Sequence, residues 1–228
     1  MLLYSSFALL VAVSPLGCGE ADAARATTSF PTADGGVVHA DVYGSGDDVV
    51  ILAHGGRFTK ESSAEQAPVI AAAGFRVVAI DFRGRGESGG GSEGEAGVHL
   101  DVLAAVRWAR EQGARRVSVV GASFGGWAAG RAATLADSGI DALVLLAAPG
   151  TDEPERMRGR KLFIVARDDS RGGGVRRLPE IEQQFERAPE PKELVVLDGS
   201  AHAQFLFETD QAERLMAEIL RFLRDGTP

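Results

Sequence analysis

Short unbroken apolar runs recur along this chain, separated by longer stretches in which apolar residues return every three or four positions. The first clear element differs. Gly36-Val-Val-His-Ala-Asp-Val-Tyr43 alternates apolar and polar residues, which predicts an exposed or edge strand. Val49-Val-Ile-Leu-Ala53, Phe75-Arg-Val-Val-Ala-Ile80 and residues 116–122, 142–147, 161–166 and 193–197 are mostly apolar, as strands buried on both faces are. Helices are predicted between them, over residues 61–73, 97–112, 124–137, 176–187 and 208–224. In the second, Val98, Val102, Ala105, Val106 and Ala109 fall on one face, and Gly113 ends it. In the last, Leu215, Ile219, Phe222 and Leu223 form the apolar stripe. The glycine-rich segment Phe82-Arg-Gly-Arg-Gly-Glu-Ser-Gly-Gly-Gly91 predicts a connection or a mobile surface segment. Strands alternating with helices over the whole length predict an α/β fold, a single-domain doubly wound mostly parallel sheet with helices on both faces.

The start of the chain follows another pattern. Residues 1–19 carry no charged side chain, and the apolar run 2–13 is too short to span a bilayer. It reads as the apolar region of a secretion signal. Cleavage before Cys18 would leave a thiol for lipid attachment, and Ser14-Pro-Leu-Gly-Cys18 resembles a bacterial lipoprotein signal. Cleavage after Ala21-Asp-Ala23 would give a free secreted protein, and an uncleaved apolar tail is the third reading. On the first, residues 1–17 are a signal peptide, 18–29 a tether and 30–228 the folded domain. Such a protein sits in the bacterial cell envelope, lipid-anchored at Cys18, or is secreted.

Composition narrows the chemistry. The 228 residues are 45% hydrophobic and 25% charged, the balance of a globular protein. The net charge is −8, and only three of the 24 basic residues are Lys, which argues against nucleic acid as a partner. One Cys excludes an internal disulfide and cysteine cages, and the four His show no i, i+4 pairing. No cofactor and no metal is expected. The partner expected is a small-molecule substrate, with a membrane reached only through Cys18. Oligomeric state is open.

In doubly wound sheets the chemistry lies at the carboxyl ends of the strands. The predicted strand 116–122 runs into Gly121-Ala-Ser123-Phe-Gly125 just before a helix. A Ser in so sharp a turn, with glycine two before and two after, is placed to act as a nucleophile at a helix N-terminus. The bland alternative is an N-cap serine. After strand 49–53 comes His54-Gly-Gly56-Arg57. Acyl transfer needs free backbone N–H groups, and those of Gly56 and Phe124 are the candidates, with Arg57 the alternative to Gly56. His54 is read as orienting this loop. After strand 161–166 comes Asp168-Asp169, where Asp169 is favoured over Asp168 as the partner of an imidazole. After strand 193–197 comes Gly199-Ser-Ala-His202, with His202 the candidate base. Asp81, Asp198, His39 and His99 are read as structural.

Taken together, His54-Gly-Gly56, Asp81-Phe-Arg-Gly-Arg-Gly-Glu-Ser88, Gly121-Ala-Ser-Phe-Gly125, Asp168-Asp169 and Gly199-Ser-Ala-His202 resemble an α/β-hydrolase over residues 37–224. The order Ser, acid, His is that family's order. The chain is most similar to small bacterial members of the dienelactone hydrolase and simple esterase kind, but has Ser123 where dienelactone hydrolases have Cys. It also lacks the Asp nucleophile of epoxide and haloalkane hydrolases. The resemblance implies a serine hydrolase in which His202 takes the Ser123 proton, Asp169 holds the imidazole, and Gly56 and Phe124 hold the oxyanion. The stretch 149–160 is too short for a helical cap, so an open site for small or short-chain carboxylic esters is expected, with access limited mainly by residues 82–97 and by side chains such as Phe58. A hydrolase of thioesters, lactones or peptides, and a non-catalytic surface-tethered binding protein, are the alternatives.

Overall fold

The structure, a computed structural model, describes residues 25–225. The expected signal peptide, Cys18 and both cleavage sites lie outside the described residues. Eight strands form one sheet: β1 (Ala26–Pro31), β2 (Gly36–Tyr43), β3 (Asp48–Ala53), β4 (Arg76–Ile80), β5 (Arg116–Ala122), β6 (Ala142–Leu146), β7 (Arg160–Ala166) and β8 (Lys192–Leu197). Their spatial order is β1-β2-β4-β3-β5-β6-β7-β8, and Gly89–Gly90 adds a short ninth strand beside β2. β2 runs antiparallel to β1 and β4, and every pairing from β4 to β8 is parallel. Five helices follow: α1 (Gln66–Ala72), α2 (Val98–Glu111), α3 (Phe124–Ala133), α4 (Leu178–Arg187) and α5 (Ala212–Arg224).

Side chains alternate across the strands, so the sheet carries two apolar layers. Val49, Ile51 and Ala53 face the layer that takes in α2, α3 and α4, while Val50 and Leu52 face α1 and α5. β6 is buried at all five positions because both faces are covered, which is why its sequence is an unbroken Ala-Leu-Val-Leu-Leu. α5 docks through Leu215, Ile219, Phe222 and Leu223. Each such side chain contributes about 1.5–3 kcal/mol on burial, so truncating Phe222 to Ala costs about 3–5 kcal/mol. α3 is built differently: Gly126, Ala128, Ala129, Gly130 and Ala132 are buried, and their small size brings the helix axis close to the sheet.

Four expectations need correction. The first strand begins at Ala26, inside the stretch assigned to the tether and ahead of residue 30. It was hidden because Phe30 is its only buried residue, so its pattern is weak. β2 is therefore not an edge; β1 covers it, and only the alternation survives in its sequence. The helix expected over 61–73 is a 3-10 turn, Lys60–Ser63, followed by α1, and the one expected from 208 is a 3-10 segment, Ala203–Glu208, before α5. Finally, the glycine-rich segment is pinned. Phe82, Arg83 and Ser88 are buried, and the Arg83 guanidinium bonds Asp34 at 2.7 Å and Asp101 at 2.8 Å. Glycine content hid an anchor that acts through two distant carboxylates.

Strand order reverses around β3, which has β4 on one side and β5 on the other. The carboxyl ends of β3 and β5 flank that crevice, the place where a doubly wound sheet binds ligands.

Candidate active site

β5 ends in the turn that presents Ser123, and α3 starts at the next residue. Ser123 has φ +50° and ψ −110°, a conformation that costs a side-chain-bearing residue about 1–3 kcal/mol. The surroundings hold it there. Its N–H donates to the Leu146 carbonyl at 2.8 Å and its carbonyl accepts Trp127 N–H at 3.0 Å. The flanking glycines are sterically required: a Cβ on Gly125 would sit 2.1 Å from the Ala53 carbonyl oxygen, and one on Gly121 would sit 2.6 Å from the Gly125 carbonyl oxygen.

His202 lies between β8 and the 3-10 segment Ala203–Glu208. Its Nε2 is 2.8 Å from Ser123 Oγ, and its Nδ1 is 2.7 Å from Asp169 Oδ2. An ionised carboxylate only accepts, so Nδ1 carries the proton and Nε2 turns a lone pair to the serine hydroxyl. Asp169 is fully buried. Its loop is closed by its own backbone, with Asp169 N–H donating to Ala166 and its carbonyl accepting Arg177 N–H at 2.9 Å. The second carboxylate oxygen, Oδ1, has no hydrogen bond and faces Arg177 Nε at 3.5 Å. Asp168 points outward to Arg176 at 3.0 Å and is half exposed. Of the two adjacent carboxylates, only Asp169 reaches the imidazole.

The His54–Phe58 segment turns tightly at the end of β3, with Phe58 N–H donating to Gly55 C=O at 3.0 Å. Three of its backbone groups are held. Gly55 N–H donates to Gln204 Oε1 at 2.6 Å, Gly55 C=O lies 2.8 Å from His54 Nδ1, and Gly56 C=O accepts Arg85 Nε–H at 2.9 Å. A trans peptide points N–H opposite to C=O. Since Gly55 C=O is turned inward to His54, Gly56 N–H is turned the other way. Gly56 N–H, its alternative Arg57 N–H and Phe124 N–H donate to no acceptor among the described residues, and the last is one of the free first-turn amides of α3. Gly56 also lies against Phe124: a Cβ on it would be 3.5 Å from Phe124 Cβ.

His54 is buried, and its Nε2 accepts Phe82 N–H at 3.2 Å. Burial lowers its pKa, so the ring stays neutral and holds the loop. Asp81 is also fully buried, bonding Lys60 N–H at 2.8 Å and Lys60 Nζ at 3.0 Å. His99 Nδ1 lies 3.2 Å from the Ala96 carbonyl, and exposed Asp198 faces Arg167. Arg85, Arg177 and Gln204 touch the site but carry no sequence signal, because each acts across a fold-dependent contact. Among the described residues no group of three or more His, Cys, Asp or Glu could hold a metal.

Gly55, Gly56, Ser123, Phe124, Arg177, His202 and Gln204 line a cleft of about 430 Å³ that also takes in Arg57, Phe58, Ser170 and Phe205. Phe58 and Phe205 meet edge to face at 5.5 Å between centroids and form its apolar wall. Residues 82–97, expected to limit access, do not line it. Buried Arg83 draws that segment inward, and Phe82 instead packs edge-on behind Phe124 and His54 at 5.3 and 5.1 Å.

No curated protein matches the sequence significantly. Solved structures do resemble it. The Pyrococcus furiosus esterase Pf2001 superposes with a TM-score of 0.74 at 19% identity, covering 89% of this chain and 92% of that one. A dienelactone hydrolase from Anabaena variabilis gives 0.68 at 20% identity, over 89% and 97%. An esterase from Exiguobacterium antarcticum gives 0.69 at 15% identity, over 86% and 99%. At these identities the likeness is one of fold. The sequence profile of the alpha/beta hydrolase fold, however, matches residues 48–180, from β3 into α4 and through the serine turn. By that match, and by a strand order that brings residues 54–56, 123, 169 and 202 to one crevice, the chain belongs to the alpha/beta hydrolase fold family.

Proposed function

We propose that this protein is a serine hydrolase that cleaves small or short-chain carboxylic esters through an acyl-enzyme on Ser123. One observation carries the reading: the unbroken series Asp169 Oδ2, His202 Nδ1, His202 Nε2, Ser123 Oγ, with gaps of 2.7 and 2.8 Å. His202 Nε2 takes the hydroxyl proton as Ser123 Oγ attacks the ester carbonyl carbon. The developing oxyanion accepts from Gly56 N–H and Phe124 N–H. Negative charge on Asp169 stabilises the imidazolium. As the carbon–oxygen bond to the leaving group breaks, the imidazolium gives its proton to the departing alkoxide. Water then attacks the acyl-enzyme with the same base, releasing acid and restoring the serine.

What surrounds the cleft supports the substrate size proposed. Residues 147–159, between β6 and β7, hold only a three-residue 3-10 turn, so nothing is inserted there to roof the serine. The apolar wall of Phe58 and Phe205 suits a short acyl chain. A fluorophosphonate probe tests the chemistry: it labels the wild type, and Ser123→Ala abolishes both labelling and p-nitrophenyl acetate turnover. Persistent labelling of Ser123→Ala would overturn the assignment. A p-nitrophenyl ester series tests the size, with kcat/KM highest for two to four acyl carbons; a steady rise to long chains refutes it. Lipid attachment at Cys18 belongs to the same proposal, and its test is loss of membrane association in Cys18→Ser.

A further inference from the structure

The side-chain amide of Gln204 lies between the loop that carries His202 and the loop that carries Gly56. Its Oε1 accepts Gly55 N–H at 2.6 Å, and its Nε2 donates to Ser62 Oγ at 2.6 Å. The Ser62 hydroxyl in turn donates to the Thr59 carbonyl at 2.7 Å. The direction of this series is forced. A backbone N–H can only donate, so the carbonyl end of Gln204 must face Gly55 and its NH₂ must face Ser62. The fit is close as well, since a Cβ on Gly55 would stand 2.8 Å from Gln204 Oε1.

Between Gly55 N–H and Gly56 C=O, every backbone polar group but one is held: by Gln204, by His54 and Phe58, and by Arg85. The one left free is Gly56 N–H. Gln204 is two residues past His202, so one side chain sets the separation between the imidazole loop and that free amide.

We infer that Gln204 is a positioning residue, which ties the oxyanion loop to the His202 loop and is needed for the transition state more than for substrate binding. The inference rests on the serine hydrolase reading of the same site. An apolar residue at 204 leaves Gly55 N–H without its acceptor, and the loop can then swing away from the Ser123 side. An amide donor displaced by a fraction of an ångström stabilises the oxyanion poorly while binding the ground-state ester much as before.

The test compares Gln204→Leu, Gln204→Glu and Ser123→Ala, using p-nitrophenyl acetate kinetics and the rate of fluorophosphonate labelling. Gln204→Leu lowers kcat about 10- to 100-fold and changes KM less than about 3-fold. Gln204→Glu supplies a signature that a merely structural residue would not. When protonated, its carboxyl can accept from Gly55 and donate to Ser62, as the amide does; when ionised it still accepts Gly55 N–H but cannot donate, and it keeps Ser62 only if that hydroxyl turns away from the Thr59 carbonyl. Around this position stand His202 on the same loop, His54 below, Arg57 and Arg177 in the same cleft, and Glu61, Glu65 and Glu208 along the adjoining groove. Arg177 faces Asp169 at 3.5 Å and Glu61 bonds Lys60 at 2.9 Å, which leaves Glu65 and Glu208 against Arg57, a balance that favours the protonated form of the added acid. The rate of Gln204→Glu relative to wild type therefore rises toward parity below about pH 5 and falls above it. A Gln204→Leu kcat within 2-fold of wild type, or a pH-independent ratio for Gln204→Glu, overturns the inference. Labelling that survives in Ser123→Ala overturns the underlying reading instead, so the two failures are distinct.

Discussion

Arg83 offers the sharpest test of how the site is supported. Its guanidinium is 4% exposed and bonds two carboxylates, Asp34 at 6% and Asp101 at 1% exposure. Its backbone N–H also donates to Asp101 at 2.9 Å. Arg83→Met keeps much of the side-chain volume but leaves both carboxylates buried without a cation. Breaking such a pair from one side costs about 3–5 kcal/mol, more than the pair is worth against an apolar replacement. For a domain of this size each kcal/mol moves the midpoint by about 2–4 °C, so Tm should fall by about 6–20 °C in calorimetry at pH 7. Arg156→Met is the control: its pair with Glu153 is 57% exposed on both sides and contributes about 0–1 kcal/mol. The pH dependence supplies an independent check. Hydrogen bonds from Arg83, then from Thr32, hold the Asp34 pKa well below the usual carboxylate range. That contribution is complete above the unfolded-state value near 4 and is lost as pH falls toward the folded value. The gap between wild type and Arg83→Met should therefore be widest at neutral pH and narrow below about pH 4. Equal Tm shifts for Arg83→Met and Arg156→Met would refute the argument.

Three other outcomes follow from the geometry. Asp169→Asn should lower kcat about 10⁴-fold, by reversing the imidazole tautomer, whereas Asp168→Asn should stay within about 3-fold of wild type; steady-state kinetics of both variants decide it. Gly125→Ala forces a methyl to within 2.1 Å of the Ala53 carbonyl oxygen, and the resulting displacement of the turn should cost about 3 kcal/mol or more, read as a Tm drop with lost probe labelling. Burial lowers the pKa of His54, so the unfolded chain takes up a proton there that the folded one refuses; stability is full above about pH 6.5 and declines on acidification, and His54→Gln should flatten the Tm profile between pH 7 and 5.

What the sequence made legible follows from where physical forces are local. β3, β5, β6 and β7 are covered on both faces, so burial wrote itself into consecutive apolar residues. β1 is an edge with Phe30 its lone buried side chain, and it exists because β2 pairs with it, which no window of sequence reports. Ser123, His202 and the Asp168-Asp169 pair were visible because each follows a strand end. The choice between the two carboxylates depended on the loop closed by Asp169 and Arg177, which turns one side chain in and the other out. The supports of the oxyanion loop were illegible for the same reason as β1. Gln204 reaches Gly55 across 149 positions and Arg85 reaches Gly56 across 29.

The backbone at Ser123 has a further consequence. Its torsion angles belong to the region that glycine enters freely, so Ser123→Gly would release about 1–3 kcal/mol of steric conflict against roughly 0.5–1 kcal/mol of added flexibility in the unfolded chain. The inert protein should then be the sturdier one, by a margin that calorimetry can read. The hydroxyl is kept where the chain fits it worst, and durability is what the fold gives up to hold its reactive atom in the open.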